Sequence, residues 1–530
     1  MEVGAEGFAR RLPRLRRRIL RAAFVALDME FSGLHSTSLQ NNEPSLFDSP
    51  AERYLKARQS VQRFTLVQLG LAIFSKENSN KYVVHSYNFF LFPSTLGIRD
   101  VEFTLSASSI QFLSHYGFDY NKFLKDGIPY MNEVQEKILR QHLLADSWKV
   151  FSTNNADRDV LKKAIGEVTS WIAAAAEEET MILQDLSGYH MFEVQLVLRQ
   201  ALQNVWTKPL GDKKLMVKKV SPEHRQLLEN SSYDHCQKKL ILLAARGFTN
   251  LFQTLVKAKK PLVGHNMFMD LMHLHDKFYR PLPESYEEFK RNIHNLFPVI
   301  IDTKTVTKYM QKKCLFPRVS SLLEVYAALC SSILNRKGPP CPVIALASGC
   351  SRYAEKKSPH EAGYDAFLCG SVLLLSAHLL LCRSTDDAVE ADPSFSQYLT
   401  VVAEHVNKVN FIRGGVSSIN FSGEDAPCCH PPALVVHVRG WPGLNETQIY
   451  QEFKARCRFD VRRLSKNQFI LLSNKYNQLV LRDYRHHPHL QVSVYRHWRH
   501  SPSVNCLLQI SSIVALWSLF AFALGGSPSC

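Results

Sequence analysis

The chain has 530 residues, of which 45% are hydrophobic and 21% charged. This composition predicts two or three globular domains with sizeable cores and excludes a wholly disordered chain. Lysines and arginines number 64 against 48 aspartates and glutamates, and the net charge of +16 indicates either a polyanionic partner, such as nucleic acid or an acidic membrane, or a generically basic protein.

The 12 cysteines do not form a recognisable zinc motif. The chain has no C-x-x-C pair, and neither "HC" at 235–236 nor "CC" at 428–429 has the second half that a zinc site needs. We expect mostly buried, reduced thiols, which are typical of a cytosolic protein.

The N-terminal stretch "ARRLPRLRRRILRAAF" carries seven arginines by residue 21. The apolar run that follows, Ala22 to Leu27, ends at Asp28 and is too short for the apolar segment of a signal peptide. We therefore predict a basic amphipathic helix.

Three strands are predicted next, over "FVALDMEF" (24–31), "FTLVQLGLAIFS" (64–75) and "KYVVHSYNFFLFP" (81–93). The first contains two acids, Asp28 and Glu30, which share one face of the strand about 7 Å apart. Two like charges in an apolar strand are costly unless a cation lies between them.

Residues 106–127 are predicted to be helical, and residues 151–250 to be a helical insertion. The insertion contains the helix formers "SWIAAAAEEETMILQDL" (170–186) and "HMFEVQLVLRQALQNVW" (190–206). The basic run "KPLGDKKLMVKKV" (208–220) is either a phosphate-contacting segment or a solvated basic face.

Two further acids enter helices. Asp270 lies in "KPLVGHNMFMDLMHLH" (260–275), a short strand that leads into a helix, and Asp365 lies five residues after His360 in "PHEAGYDAFLCG". Between them "FPVIIDTKTV" (297–306) predicts another strand, whose Asp302 is either structural or a support for site residues. The apolar stretch 367–382 contains His378 and is predicted to be a core helix.

The C-terminal part begins with a linker at 412–432, rich in Gly, Ser and Pro. Residues 433–500 predict strand, helix, strands and strand, the order of a small ferredoxin-like RNA-recognition (RRM-like) module. Its third strand has only Phe469 where such modules place several stacking aromatics, so we expect weak base stacking.

Residues 504–524 form an uncharged stretch of about twenty residues, the length of a bilayer-spanning helix. The Arg- and His-rich segment before it predicts a tail anchor with the body of the protein in the cytosol. The alternative is a buried C-terminal helix. The endoplasmic reticulum and the mitochondrial outer membrane fit the anchor equally.

Each acid alone is more often a helix cap or dipole partner. Together, two carboxylates on a strand and two entering helices can bind two divalent cations, which would stabilise the attacking water and the leaving oxygen of a phosphodiester.

The pattern D-x-E, an aspartate after "GHN", and H-x4-D resembles the DEDDh 3′→5′ exonucleases. More narrowly, "DMEFSGL", "LVGHNMFMDLMH", "FYRPLPESYEEFK", "FPVIIDTK" and "HEAGYDAF" resemble the poly(A)-specific ribonuclease family. With its apolar tail and weak last module, the chain is most similar to the branch that trims piRNA precursors.

The resemblance implies an α/β, RNase H-like DEDD exonuclease domain formed by residues 1–150 and 251–411. The insertion would be a degenerate Arg-x-x-x-His-type RNA-binding domain, because Gln203 stands four residues after Arg199, where the family has histidine. The implied metal ligands are Asp28, Glu30, Asp270 and Asp365, the general base is His360, and the residues that cradle the terminal nucleotides are Phe31, Leu34, Asn266 and Met267. Glu361 occupies the position of the tyrosine in the tyrosine branch, which favours the histidine branch.

The implied activity is removal of nucleotides from RNA 3′ ends, poly(A) tails or piRNA precursors, with release of 5′-monophosphates and with two Mg²⁺ ions, for which Mn²⁺ can substitute. The implied partners are single-stranded RNA 3′ ends, an Argonaute/PIWI-type protein, a Tudor-type adaptor and a second copy of the chain. The alternative is a catalytically inactive, membrane-anchored RNA-binding adaptor.

Overall fold

The computed structural model describes residues 1–35, 44–77, 80–94, 101–144, 155–186, 188–211, 213–334, 339–384, 392–427, 432–439, 444–454, 459–473 and 477–525. Strands β1 to β17 are Glu2–Val3, Phe24–Phe31, Leu66–Lys76, Lys81–Pro93, Ile128–Tyr130, Thr180–Leu183, Val205–Gly211, Lys214–Lys219, Leu262–Gly264, Ile300–Asp302, Val343–Leu346, Lys408–Asn410, Ser418–Asn420, Leu434–Val438, Asp460–Ser465, Gln468–Leu472 and Leu490–Val494. Helices α1 to α21 are Ala5–Arg21, Pro50–Arg63, Ala107–His115, Tyr120–Asp126, Glu133–Leu144, Asn155–Ala174, Gly188–Ala201, Pro222–Glu229, Ser232–Arg246, Thr249–Ala258, Phe268–His273, Tyr286–Leu296, Thr303–Lys312, Leu322–Leu334, Arg352–Glu355, Ala362–Ser384, Phe395–Val401, Glu446–Lys454, Asn477–Asp483, His497–His500 and Pro502–Gly525.

The chain divides into two compact units. The first consists of residues 1–42, 55–410 and 420–424, and the second of residues 43–54, 411–419 and 425–530.

A mixed sheet organises the first unit, with strand order β1-β4-β3-β2-β9-β10, and β5 and β11 also pair with β4. The three predicted strands β2, β3 and β4 pair antiparallel, whereas β9 and β10 continue the sheet in parallel from β2. The predicted strand at 297–306 is shorter than expected, because β10 ends at Asp302 and α13 begins at the next residue.

Two helices cover this sheet and have the properties predicted for them. The basic helix α1 buries Phe8, Leu15 and Ile19, and Phe8 packs edge-on against Phe89 of β4 with ring centroids 6.2 Å apart. Helix α16 is long and apolar enough to cross a membrane, but 89% of its apolar stretch is buried within the protein, as expected of a core helix.

The insertion differs from the purely helical prediction. Helix α6 ends at Ala174, and "TMIL" in the predicted helix 170–186 is strand β6 instead. The basic run 208–220 forms most of a hairpin, and β6, β8 and β7 make a three-stranded antiparallel sheet. Its buried leucines and valines pack against α6 and α7 in a core of their own, so alternating apolar residues outweighed helix propensity here.

The second unit contains a four-stranded antiparallel sheet of order β15-β16-β14-β17, with α18 and α19 in the connections. Strand, helix, strands and strand follow each other as predicted, with α19 additional. Phe469 is fully buried in the core of this unit and therefore offers no face for a base. Strand β13 lies inside the predicted linker 412–432, which is therefore not wholly irregular.

The C-terminal helix α21 exposes its apolar side chains. Leu507, Leu516 and Trp517 are 64%, 62% and 73% exposed, so the alternative of a buried C-terminal helix is wrong for the described residues. Because the uninterrupted apolar part described, Cys506–Phe520, is shorter than a full span, the tail anchor stays a prediction.

The cysteines differ from the expectation of mostly buried thiols. Among those described, all are free and only Cys350 and Cys369 are buried, whereas Cys236, Cys314, Cys341 and Cys506 are exposed.

Candidate active site

Strand β2 holds Asp28 and Glu30 in the interior of the sheet. Asp28 pairs with Gly70 of β3 and Glu30 with Gln68, and the register shifts immediately after Glu30. Both acidic side chains remain partly accessible, while Met29 between them is buried. The alternation predicted from the sequence therefore places both carboxylates on one face.

Gly70 of β3 allows α16 to approach the sheet closely. A Cβ atom at Gly70 would lie 1.8 Å from the carbonyl oxygen of Ala362, the first residue of α16. The amide of Ala362 donates to the side-chain oxygen of Gln68 at 3.0 Å, and that of Gly363 donates to Asn88 at 3.1 Å. Sheet side chains thus bind the free N–H groups at the start of α16, which brings Asp365 in its first turn next to the acids of β2.

His360 precedes α16 in an unusual backbone conformation. Its φ of 62° lies in the left-handed region, and its N–H donates to Oδ2 of Asp365 at 2.8 Å. The imidazole contacts two aromatic rings at the end of α3, with centroids 4.6 Å from Phe112 and 4.2 Å from Tyr116. The neighbouring Glu361 accepts a hydrogen bond from Tyr353 at 2.5 Å and points to a different set of partners.

Asp270 reaches the site through the turn between β9 and α11. Asn266 in that turn has a left-handed φ of 61°. Buried Asp302 holds the turn, because its carboxylate accepts the N–H groups of Asn266 at 2.8 Å and Met267 at 3.2 Å. The same carboxylate accepts the N–H groups of Lys304 and Asn410, both at 2.9 Å. Asp302 is therefore a support for the turn, one of the two roles considered from the sequence.

The four carboxyl groups form one electrostatic cluster. Burial, followed by repulsion from Asp365 and Asp270, raises the pKa of both Asp28 and Glu30 well above the ordinary range. Burial likewise raises the pKa of Asp270 and of Asp365 to about 7. Mutual repulsion of this kind is relieved by protonation or by a cation.

The donor set fits hard divalent cations. Ligand atoms of Glu30, His360 and Asp365 all lie within 4.8 Å of one another. Carboxylate oxygens at strand and helix positions are the ligands that Mg²⁺ and Mn²⁺ prefer. Burial lowers the pKa of His360, so that its imidazole is neutral at pH 7 and able to accept a proton.

The predicted nucleotide-binding residues differ in accessibility. Phe31 is partly accessible and stacks on the buried His273 with ring centroids 4.3 Å apart, and Leu34 is 45% exposed. The side-chain oxygen of Asn266 accepts a hydrogen bond from Asn410 at 2.7 Å. Met267 is only 1% exposed and packs against Gly264 of β9, so its side chain is not accessible to a nucleotide in this structure.

Sequence reasoning missed the residues that hold the site together. These supports are Gln68, Gly70, Asn88, Tyr116 and His273. A glycine and two amides within apolar strands were the only local signal, and nothing in the sequence linked Tyr116 to a histidine more than 200 residues away.

Comparison with known proteins places this arrangement in a family. The model of the "CAF1 family ribonuclease" matches residues 3–373. The "Poly(A)-specific ribonuclease PNLDC1" of Mus musculus is 56% identical over 99% of this chain and 99% of its own length. The "Pre-piRNA 3'-exonuclease trimmer" of Bombyx mori is 28% identical over 97% of both chains. The "Poly(A)-specific ribonuclease PARN" of Homo sapiens is 30% identical over 86% of this chain and 73% of its own.

Proposed function

The chain belongs to the CAF1 family of ribonucleases, and from this membership we propose that it is a 3′→5′ exoribonuclease that trims RNA 3′ ends. The observation that carries the proposal is the cluster of Asp28, Glu30, Asp270 and Asp365. Burial raises the pKa of all four carboxyl groups, and repulsion from Asp365 and Asp270 raises the pKa of Asp28 and Glu30 further. Nucleases of this family depend on divalent metals, and Mg²⁺ or Mn²⁺ suits these oxygen ligands.

We assign the four carboxylates to the binding of two divalent ions. Such ions, when bound, stabilise the charge on the attacking and leaving oxygens of an in-line displacement at phosphorus. The four side chains keep these positions through strand β2, the turn supported by Asp302, and the anchored start of α16. His360, neutral because of its burial, accepts the proton of the attacking water. The products are a 5′-mononucleotide and an RNA shorter by one residue.

Phe31 and Leu34 are the proposed wall for the terminal nucleotide. Phe31 is held by its stack on His273, and an aromatic face binds bases with little sequence preference. Asn266 contributes a polar edge in the turn before α11.

The substrates proposed are piRNA precursors and poly(A) tails. The printed names of the Mus musculus and Bombyx mori relatives support these two classes of RNA. An Argonaute/PIWI-type protein that holds the precursor, with a Tudor-type adaptor, would explain how an enzyme with a weak RNA-recognition-like module captures its substrate. We also propose a homodimer, on the basis of the resemblance to poly(A)-specific ribonucleases.

We further propose a nuclease domain of residues 1–150 and 251–411, an insertion at 151–250, an RRM-like module at 433–500 and a tail anchor at 504–524. Separate apolar cores in the insertion and in the C-terminal sheet support the two smaller modules. The exposed apolar side chains of α21 support the anchor. Deletion of residues 504–530 should move the protein from the membrane pellet to the supernatant of a cell lysate, and retention in the pellet would refute the anchor.

One assay tests the activity. The purified chain is incubated with 5′-labelled and 3′-labelled oligo(A) and Mg²⁺, beside Asp28→Ala. We expect a ladder of 5′-labelled products and a 3′-labelled mononucleotide with the wild type only. A wild type that yields neither product, even with Mn²⁺, would support the inactive RNA-binding adaptor instead.

A further inference from the structure

Helix α1 presents a row of arginines to solvent on the side away from the protein core. Arg10, Arg14, Arg17 and Arg21 are all exposed and are spaced by four, three and four residues. This spacing aligns them along one face of a helix. At 1.5 Å per residue the row is about 16 Å long. We refer to these four residues as the arginine row.

The positive charge of this row is not balanced locally. Within the described part of the chain, none of the four guanidinium groups forms a hydrogen bond or ion pair. Burial, followed by the positive charges of Arg18 and Arg14, lowers the pKa of His85 on β4 to about 4. The positive charge of α1 therefore acts on the sheet as well as on solvent. Four neighbouring unpaired arginines repel one another and favour the approach of a polyanion.

A lipid surface is the weaker candidate for that polyanion. Helices that bind membranes insert an apolar face below the headgroups. The apolar face of α1 is already buried in the protein, with Phe8 at 4%, Leu15 at 1% and Ile19 at 0% exposure. Among the large apolar residues of α1, Leu20 alone is exposed. The helix therefore offers charge without an insertion surface, which matches a nucleic-acid backbone.

The row lies on the opposite side of the sheet from the helix that carries Asp365. Tyr87 of β4 contacts Arg18 and Phe89 contacts Phe8, both on α1, whereas Asn88 between them binds the start of α16. Neighbouring side chains of a strand point to opposite faces. An RNA whose 3′ end lies among the acids can reach α1 only around the sheet, several nucleotides upstream of that end.

From these observations we infer that the arginine row binds the phosphodiester backbone of the RNA upstream of the nucleotide being removed. The inference rests on the exoribonuclease activity proposed above and adds a second anchoring surface to it. Long RNA engages both surfaces, whereas a short RNA that fills only the acidic site does not reach the row.

The salt dependence of binding measures such a surface. Each phosphate neutralised in a single strand contributes about 0.7 to the slope of log affinity against log salt. Four arginines therefore contribute a slope of about 3. Between about 50 and 200 mM salt, this amounts to about a 50-fold additional loss of affinity for long RNA.

The test compares two full-length variants of equal charge. One carries Arg10→Gln, Arg14→Gln, Arg17→Gln and Arg21→Gln. The control carries four substitutions at exposed basic residues of other segments, Lys257→Gln, Arg291→Gln, Lys312→Gln and Arg318→Gln. Binding of RNAs of about 30 and about 5 nucleotides, the latter near the lower limit of single-strand site sizes, is measured by fluorescence anisotropy across the salt range. Asp28→Asn is added to both variants and to the reference protein to prevent cleavage.

For the long RNA, we expect the slope of log affinity against log salt to be smaller by about 3 in the row variant than in the reference protein, while the control variant keeps at least most of the slope. For the short RNA, the row variant and the reference protein should have the same slope. Equal slopes for the row variant and the reference would overturn the inference, as would an equal loss in the control variant. Cosedimentation with phosphatidylserine vesicles provides another outcome against it: lost vesicle binding with unchanged RNA binding would assign the row to membranes.

Trimming separates this inference from the proposed function. In proteins that retain Asp28, the row variant should trim the short RNA at the wild-type rate and the long RNA more slowly at sub-saturating enzyme. A wild type that trims neither RNA would refute the proposed function, while the salt slopes would still decide whether the row binds RNA.

Discussion

Replacing Asp270 by asparagine should stabilise the metal-free protein while abolishing its response to metal. Burial raises the pKa of Asp270 from 3.8 to about 7. A carboxyl whose pKa is raised by folding binds its proton more tightly in the folded state. The stability it contributes is fully present below about pH 4 and is lost as the pH rises through 7.

The magnitude follows from the shift. A difference of about 3 pKa units corresponds to about 4 kcal/mol at pH 8. This shift already includes the hydrogen bonds that the carboxylate accepts from the backbone of Asp270 and Met29, which lower the pKa. For a chain of this size, about 4 kcal/mol corresponds to a rise of about 4 °C in the melting temperature of the metal-free variant.

Thermal unfolding in EDTA and in Mg²⁺, at pH 5 and pH 8, measures this effect. The wild type should gain stability from Mg²⁺ at pH 8, and Asp270→Asn should gain little because a ligand is missing. The difference between the metal-free proteins should shrink at pH 5, where Asp270 of the wild type is already protonated. Asp126→Asn, at an exposed aspartate at the end of α4, is the control and should change either melting temperature by no more than about 1 °C. An Asp270→Asn protein that melts below the wild type without metal at pH 8, or that is stabilised equally by Mg²⁺, would refute the reasoning.

Two further substitutions test the supports of the site. Asp302→Ala removes both acceptor oxygens and leaves four N–H groups without their partners, so it should lower the free energy of unfolding by about 3 kcal/mol or more in urea titrations; a loss below about 1 kcal/mol would contradict this role. Tyr116→Leu removes the ring 4.2 Å from His360 and should reduce the single-turnover trimming rate about 10-fold without changing RNA affinity, whereas Tyr116→Phe should retain the rate; equal rates in all three proteins would show that the ring does not position the histidine.

The sequence alone was sufficient to predict the central strands, because apolar residues and acids alternate along β2 with the period of a strand. It also predicted the core character of α16, and it named the four acids whose charges interact in the structure, while their role as metal ligands stays a prediction. Residue types and their spacing along one element carry this information directly.

Other features depended on tertiary contacts. Helix propensity over 170–186 predicted a helix, but residues 180–183 pair with β8 and satisfy their backbone hydrogen bonds in a sheet. Phe469 was placed on a nucleic-acid-facing surface, whereas the register of β16 directs it into the core.

The same limit applies to the site. The acids could be named from the sequence, but their supports come from residues far away in the chain: Gln68 binds the start of α16, 294 residues on, and Asn410 donates its N–H to Asp302 across 108 residues. Local periodicity records only which face of an element is buried, not which element packs against it. The sequence by itself therefore determined which acids are candidates for the site and which elements carry them. The tertiary structure decided how those side chains are held, because positioning contacts form between surfaces that meet only after the chain has folded.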